Sequence, residues 1–370
     1  MSATELAQDE SANNAAASAR RAAPRRDAPP RRAGFTTPAT LVPMNAMLIA
    51  CLLAGAVQSA DDDHATIQVG LKSGPFTTLH HGDDVRVPYL WPVIGPGGVE
   101  MTRAYPMERG RPGESEDHPH HTSLWFAHGD VNGHDFWHSK GNTPRVDVVG
   151  KPVVKTSGNS TTIDCTLTWV GKDGEKLLSE ARRMTFAESN GVRRIDFDLQ
   201  LEALVDVVFG DTKEGSFAMR LNPALRLRGD VAKGHAFNSE GAVDGELWGK
   251  RARWLTYHGT VDEHEVGVAI FDHPENLRYP TWWHARDYGL VGANPFGVHD
   301  FEKKPAGTGD HTLPKGEVLH LRYRVLLYTG KPDQTLLKKA WLDWAGPAGQ
   351  KPPADPNKAA VAPGKADDDS

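Results

Sequence analysis

Between residues 117 and 138 the chain reads DHPHHTSLWFAHGDVNGHDFWH, and six of its seventeen histidines fall within those twenty-two residues. They are His118, His120, His121, His128, His134 and His138, mixed with Asp117, Asp130 and Asp135 and with Trp125, Phe126, Phe136 and Trp137. Histidine is the side chain that most readily exchanges a proton near neutral pH, and it is the commonest metal ligand. The stretch therefore points to a polar pocket for proton transfer or ligand recognition, without naming the ligand.

Three other segments carry similar mixtures. Residues 88–107 (PYLWPVIGPGGVEMTRAYPM) set Arg103 among aromatics and can wall a cleft. Residues 209–222 (FGDTKEGSFAMRLN) group Asp211, Lys213 and Glu214 ahead of a strand that holds Arg220, a pattern suited to acid/base work or to orienting a polyol. In residues 271–296 (FDHPENLRYPTWWHARDYGLVGANPF), His284, Arg286 and Asp287 follow Trp282 and Trp283, with Asn294 further on. We expect one cleft with His120, His121, Glu214 and His284 as its catalytic groups. Arg103, Trp125, Asp130, Asn132, Asp211, Lys213, Arg220, Trp283, Arg286, Asp287 and Asn294 are its expected ligand contacts. A metal set drawn from His118, His120, Asp130 and His138 is the alternative. On an extended strand, however, His118 and His120 share a face while His121 points away.

The elements that must position these groups read as strands. Ile163, Cys165, Leu167 and Trp169 alternate with polar residues, as do Ile195, Phe197, Leu199 and Leu201. The same period recurs at Val266, Val268 and Ile270 and from Leu319 to Leu327. Cys165 thus belongs to the core. Asn190-Gly191 is a strong two-residue hairpin signal, joining strands near 178–188 and 192–202. One helix is expected: Asp333 caps it, and Leu336, Leu337, Ala340, Trp341 and Trp344 share a face. With no βαβ alternation, the chain predicts a large antiparallel β-sandwich with one C-terminal helix, as a single domain over 61–345.

The ends differ from this body. Residues 1–60 pair an Arg/Pro-rich leader with an eleven-residue apolar run, MLIACLLAGAV, which is too short to span a bilayer and right for a signal peptide. Export to the periplasm or beyond is expected, with cleavage near Ala60 or, alternatively, a lipid anchor at Cys51. Residues 346–370 read as a polar tail. A net charge of −6 gives no basic face for nucleic acid. Two cysteines make no disulfide framework. No P-loop, CxxC, GxSxG or complete HExxH occurs.

The blocks PYLWPVIGPGGVEMTRAYPM, DHPHHTSLWFAHGDVNG, DFW (after His134), GDTKEGSFAMR and HPENLRYPTWWHARDYGLVGANPFG resemble the PmoA-labelled family of exported bacterial proteins. The resemblance spans about residues 66–330 and implies export, but the family's function is not established. Its label, "methane oxygenase PmoA", borrows the name of a membrane subunit built from spanning helices. This chain has no run of eighteen apolar residues, so no methane-oxidising activity is carried over.

A sandwich with histidines and carboxylates in a cleft is also similar, at the level of fold alone, to the galactose-mutarotase-like supersandwich. Three readings follow. The first is a carbohydrate-active or carbohydrate-binding protein taking a small sugar or oligosaccharide, with His121 and Glu214 as its acid/base pair. The second is a metal-dependent oxidoreductase or hydrolase. The third is a non-catalytic structural or interaction domain.

Overall fold

Alternating sequences pair edge to edge wherever one face finds a core, and here two sheets do so. A computed structural model describes residues 55–58, 65–138 and 144–350. The first sheet has eight strands in the spatial order β1 (Gly55–Gln58), β2 (Ala65–Leu71), β3 (Gly74–His81), β4 (Tyr89–Val93), β5 (Leu124–His128), β11 (Gly215–Arg220), β16 (Leu290–Asn294) and β15 (Trp282–Ala285). The second runs β12 (His235–Asn238), β13 (Trp254–Val261), β14 (His264–Asp272), β18 (Val318–Thr329), β9 (Val192–Ala203), β8 (Lys176–Ser189), β7 (Ser160–Val170) and β6 (Arg145–Ser157). A two-stranded ribbon joins β10 (Val207–Phe209) to β17 (His311–Leu313). Every pairing among these strands is antiparallel. The expected all-β sandwich is the fold.

The inner faces meet through aromatic rows. Phe217 on β11 stacks on Tyr323 of β18 at 4.6 Å, and Phe126 on β5 meets Trp169 of β7 edge-on at 5.7 Å. Cys165 is buried in the same core, and burial pushes its thiol up to about 12. Arg193 of β9, itself buried, ties the sheets by donating to the carbonyls of Pro75 and Ile94 at 2.8 and 2.9 Å. The hairpin between β8 and β9 turns at Asn190-Gly191, with φ of 51° and 73°, the left-handed pair that the sequence signal requires.

The expected helix is α2 (Gln334–Ala345), and Asp333 caps it by accepting from the Thr335 and Leu336 amides. Its buried side chains are Leu337, Trp341 and Ala345, four residues apart, which face Trp254, Phe271 and Leu326. Leu336 departs from the expected stripe. It is 65% exposed, because one helical step of about 100° carries it off the docked line. A further one-turn helix, α1 (Val298–Glu302), gave no periodic signal because five residues are too few to show one.

Gly55–Gln58, the end of the expected export segment, lies on the edge of the first sheet beside β2. Cys51 and the rest of that segment lie outside the described residues, as does the tail beyond residue 350. Among the described residues no helix is long and apolar enough to cross a membrane.

Candidate functional site

Strand register builds the floor of the site. Tyr89 on β4 stands opposite Trp125 on β5, Trp125 opposite Ala218 on β11, Ala218 opposite Gly292 on β16, and Gly292 opposite His284 on β15. The neighbouring register row, Phe126, Phe217, Ala293 and Trp283, points into the sandwich. Side chains alternate across a sheet, so the Tyr89–His284 row lies on the outer face. Its two middle residues are small. A methyl added at Gly292 would stand 3.3 Å from the Gly215 carbonyl and 3.5 Å from Ala218, so the row between Trp125 and His284 stays low only with small residues in its middle.

Over that floor lies the loop 101–123, held by two buried arginines on one partly exposed carboxylate. Arg103 and Arg220, each about 1% exposed, share one oxygen of Asp117 at 2.6 and 2.9 Å. Arg103 also donates to the carbonyls of Tyr105, Ser115 and His118, which fixes the loop at the point where the histidines begin. Burial acts to raise the Asp117 carboxyl. The hydrogen bond from His118 and the charges of Arg220 and Arg103 outweigh it and hold the carboxyl well below the usual carboxylate range. Arg220 also reaches His121 Nδ1 at 3.1 Å. A guanidinium can only donate, so this nitrogen is the acceptor and the neutral ring carries its proton on Nε2. Burial, then the neighbouring His120 and Arg220, push His121 well below its ordinary value. The expected base His121 is thus a fixed hydrogen-bond donor.

A closed circuit of side chains surrounds this centre. Arg286 lies 5.3 Å from the Tyr288 ring, and Tyr288 stacks on His118 at 5.2 Å. His118 neighbours His120 at 5.7 Å, and His120 meets His138 edge-on at 4.6 Å. His138 Nε2 is 3.7 Å from Glu214, and Glu214 is 3.2 Å from Lys213 Nζ. His284 Nδ1 closes the circuit at 2.9 Å from the Lys213 carbonyl, to which it must donate. The four expected catalytic residues, with Arg103, Trp125, Lys213, Arg220 and Arg286, do converge from distant segments.

Three histidines around this centre differ in proton affinity. Burial, then His138 and His118, lower His120 to about 3. Burial and then Arg286 lower His284 to about 3. His138 is raised by its hydrogen bond to Asp135, 3.1 Å away, which outweighs burial. A cleft of about 480 Å³ opens on the His120 and His138 side, walled by Tyr89, Trp125, Phe136 and Trp137. Arg86 shapes it by donating to the carbonyls of Phe136 and Trp137. Glu214, His284 and Arg286 stand beyond His138 and His118 and do not line this cleft.

Other expected contacts serve the scaffold. Asp130 accepts from the Gly133 amide, and Asn132 bonds the Asp206 carbonyl and the Val208 amide, so both pin a turn to β10. Asp211 accepts from the His299 and Gly309 amides, and Asn294 from those of Phe296 and Gly297. Trp283 is buried with its indole on the Ala252 carbonyl, and Asp287 pairs with the exposed Arg228. His128 is buried on the Gly210 carbonyl, and His134 pairs with Glu175 at 2.6 Å. The alternative metal set fails on Asp130, which sits in its own turn. Among the described residues no three His, Cys, Asp or Glu side chains are grouped to hold an ion. Sequence reading passed over Tyr89 and Tyr288, although each lies within a segment singled out for aromatics beside charges.

The fold and site define an antiparallel two-sheet β-sandwich with a histidine-lined cleft over one sheet. The chain belongs to a family of unknown function (DUF6807), which matches residues 66–342. None of the curated proteins matches it in sequence. Among solved structures, the alpha-galactosidase from Lactobacillus brevis is 9% identical over 78% of this chain and 42% of its own, with a TM-score of 0.36. Galactose 1-epimerase from Lactobacillus acidophilus NCFM is 10% identical over 75% of this chain and 98% of its own, with a TM-score of 0.35. This chain thus spans about two fifths of the first and nearly all of the second. Likeness of this degree says nothing about the site.

Proposed function

We propose that the protein is carbohydrate-active, seating a sugar ring in the aromatic cleft and moving protons between His138 and His120. The observation that carries this reading is the cleft wall itself. Tyr89 offers a partly exposed aromatic face backed by the buried Trp125 and Trp137, and two histidines of opposite proton affinity share the same wall. Sugars present apolar ring faces for stacking and hydroxyl rims for hydrogen bonds. His138, whose proton affinity the hydrogen bond to Asp135 raises and which is flanked by Glu214, is the general acid. His120, neutral at pH 7, is the base. His121, through its fixed Nε2–H, orients a hydroxyl, and Glu214 steadies His138. Such a pair suits epimerisation at an anomeric carbon or cleavage of a glycosidic bond. Export, read from the apolar run at 47–57, is part of the same proposal and is tested by N-terminal sequencing of protein from cell fractions.

The test is calorimetry and proton NMR with a panel of mono- and oligosaccharides. We expect Tyr89→Ala, at the partly exposed residue of the wall, to weaken binding at a smaller cost in stability than Trp125→Ala, because Trp125 is buried. His138→Gln should keep binding and lose turnover. A panel without a single binder, neutral or acidic, would overturn the proposal.

A further inference from the structure

The sugar reading leaves Arg286 without a task. Its backbone is set by the β15–β16 hairpin: the Arg286 amide donates to the Leu290 carbonyl, and the Gly289 amide donates to the Arg286 carbonyl. It follows His284 by two residues, so the chain sends both side chains to the same face. The guanidinium is half-buried against Tyr288 and makes no hydrogen bond or ion pair with any described residue.

That is unusual within this molecule. Arg86 and Arg193 donate to carbonyls, and Arg103 and Arg220 share Asp117. The acid beside Arg286, Asp287, is already taken by Arg228, and the nearby Glu214 by Lys213. Tyr288 consequently lies between two guanidinium groups, Arg220 at 4.5 Å and Arg286 at 5.3 Å. Asp117, a carboxylate near them, already serves two arginines. The circuit around the site therefore carries an excess of positive charge, and its one open donor fork stands at the end away from the aromatic cleft. A guanidinium steadied on an aromatic face presents two parallel donors that match a carboxylate.

Resting on the carbohydrate reading, we infer that the ligand is an acidic oligosaccharide whose uronate carboxylate seats on Arg286 while another ring lies against Trp125. Length follows from the layout. Arg286 stands beyond His118 and Tyr288, outside the residues that wall the aromatic cleft, so one pyranose ring cannot reach both it and Trp125. The ligand therefore has at least two units.

The experiment is calorimetry on the full chain with trimers of galacturonate, mannuronate and guluronate, set against neutral trimers of galactose and glucose. At least one uronate trimer should bind about ten- to a hundredfold more tightly than its neutral counterparts, as a charge-assisted pair predicts. Arg286→Gln should remove that advantage and leave neutral binding unchanged. Arg286→Lys, which keeps the charge and loses the fork, should restore only part of it. Added salt should weaken uronate binding selectively. If neutral and acidic trimers bind alike, or if Arg286→Gln leaves uronate binding intact, this inference falls and the carbohydrate reading stands. If no trimer of either kind binds, the carbohydrate reading falls and takes this one with it.

Discussion

The two sheets of this sandwich are built differently. In the second, β7, β8, β9 and β18 are 11 to 14 residues long and mostly alternate between buried and partly exposed positions. Its outer face meets water with cross-strand pairs such as Arg183–Asp164 and Arg324–Asp196, except where α2 covers it. In the first, β5, β11, β15 and β16 are only 4 to 6 residues long and are buried at every position. A strand buried on both sides has a second layer over it. Here that layer is the set of loops carrying the histidines, Arg103 and Asp117. One sheet is a scaffold with a solvated back, and the other is the bed of the site. Sites are commonly carried on loops fixed by a rigid framework, and here the framework and the bed are separate sheets.

The largest effect should come from the scaffold. Trp169 on β7 is fully buried, touches Phe126 and Phe136, and donates to Glu180 at 2.8 Å. Trp169→Ala should cost about 3–5 kcal/mol of unfolding free energy, from lost burial plus the cavity left behind. Urea melts measure it. A loss below about 1 kcal/mol, less than an ordinary core truncation, would mean that the second sheet does not support the first.

Acid should act chiefly through the bed. His284 on β15 and His128 on β5 are buried, and burial is the leading cause that lowers them, to about 3 and about 4. In the unfolded chain each titrates near 6.5, so between those values the unfolded state holds more protons and stability rises with pH. As pH falls below about 6.5 that stability is lost, by about 2 kcal/mol for each buried histidine at pH 5. His284→Gln should flatten the slope by one histidine's share. Because burial raises Asp272 to about 7, which acts in the opposite sense, the difference between the two slopes is the measure, and a His284→Gln slope equal to that of the parent would contradict the assignment of that ring as buried and neutral.

The same division decides what the sequence disclosed. Scaffold strands alternate because one face is wet, so period two exposes them, as at Ile163–Trp169 and Leu319–Leu327. Bed strands such as LWFAH and GSFAMR are apolar or small apart from the terminal His128 and Arg220, so periodicity could not say which face held the ligand. The histidine cluster was legible by type. His121's role was not, because it depends on Arg220, ninety-nine residues away, filling one ring nitrogen. Nor could the sequence separate Asp211 and Asn294 from true site groups. An acid or amide that caps loop amides looks the same in sequence as one that faces a ligand.

A pair of small substitutions sharpens the contrast most finely. Ala218 is buried in the middle of the Tyr89–His284 row, between Trp125 and Gly292. Ala218→Val adds two methyl groups there, and should cost about 1–3 kcal/mol from overpacking and weaken ligand binding, because it displaces Trp125, its cross-strand neighbour and a wall of the cleft. Cys165→Ala makes the opposite change in the scaffold. Its sulfur lies on the inner face with Ile163 and Leu167, so losing it should cost only about 1 kcal/mol of burial. Ligand affinity should change less than in Ala218→Val, because that row meets the cleft wall through Trp169, four residues from the substituted position, which touches Phe136. The native thiol should also resist labelling, since burial pushes it up to about 12 and leaves almost no thiolate at pH 7. Rapid labelling of Cys165, or a loss of affinity in Cys165→Ala to match that of Ala218→Val, would mean that scaffold and bed are one cooperative surface rather than two sheets with separate work.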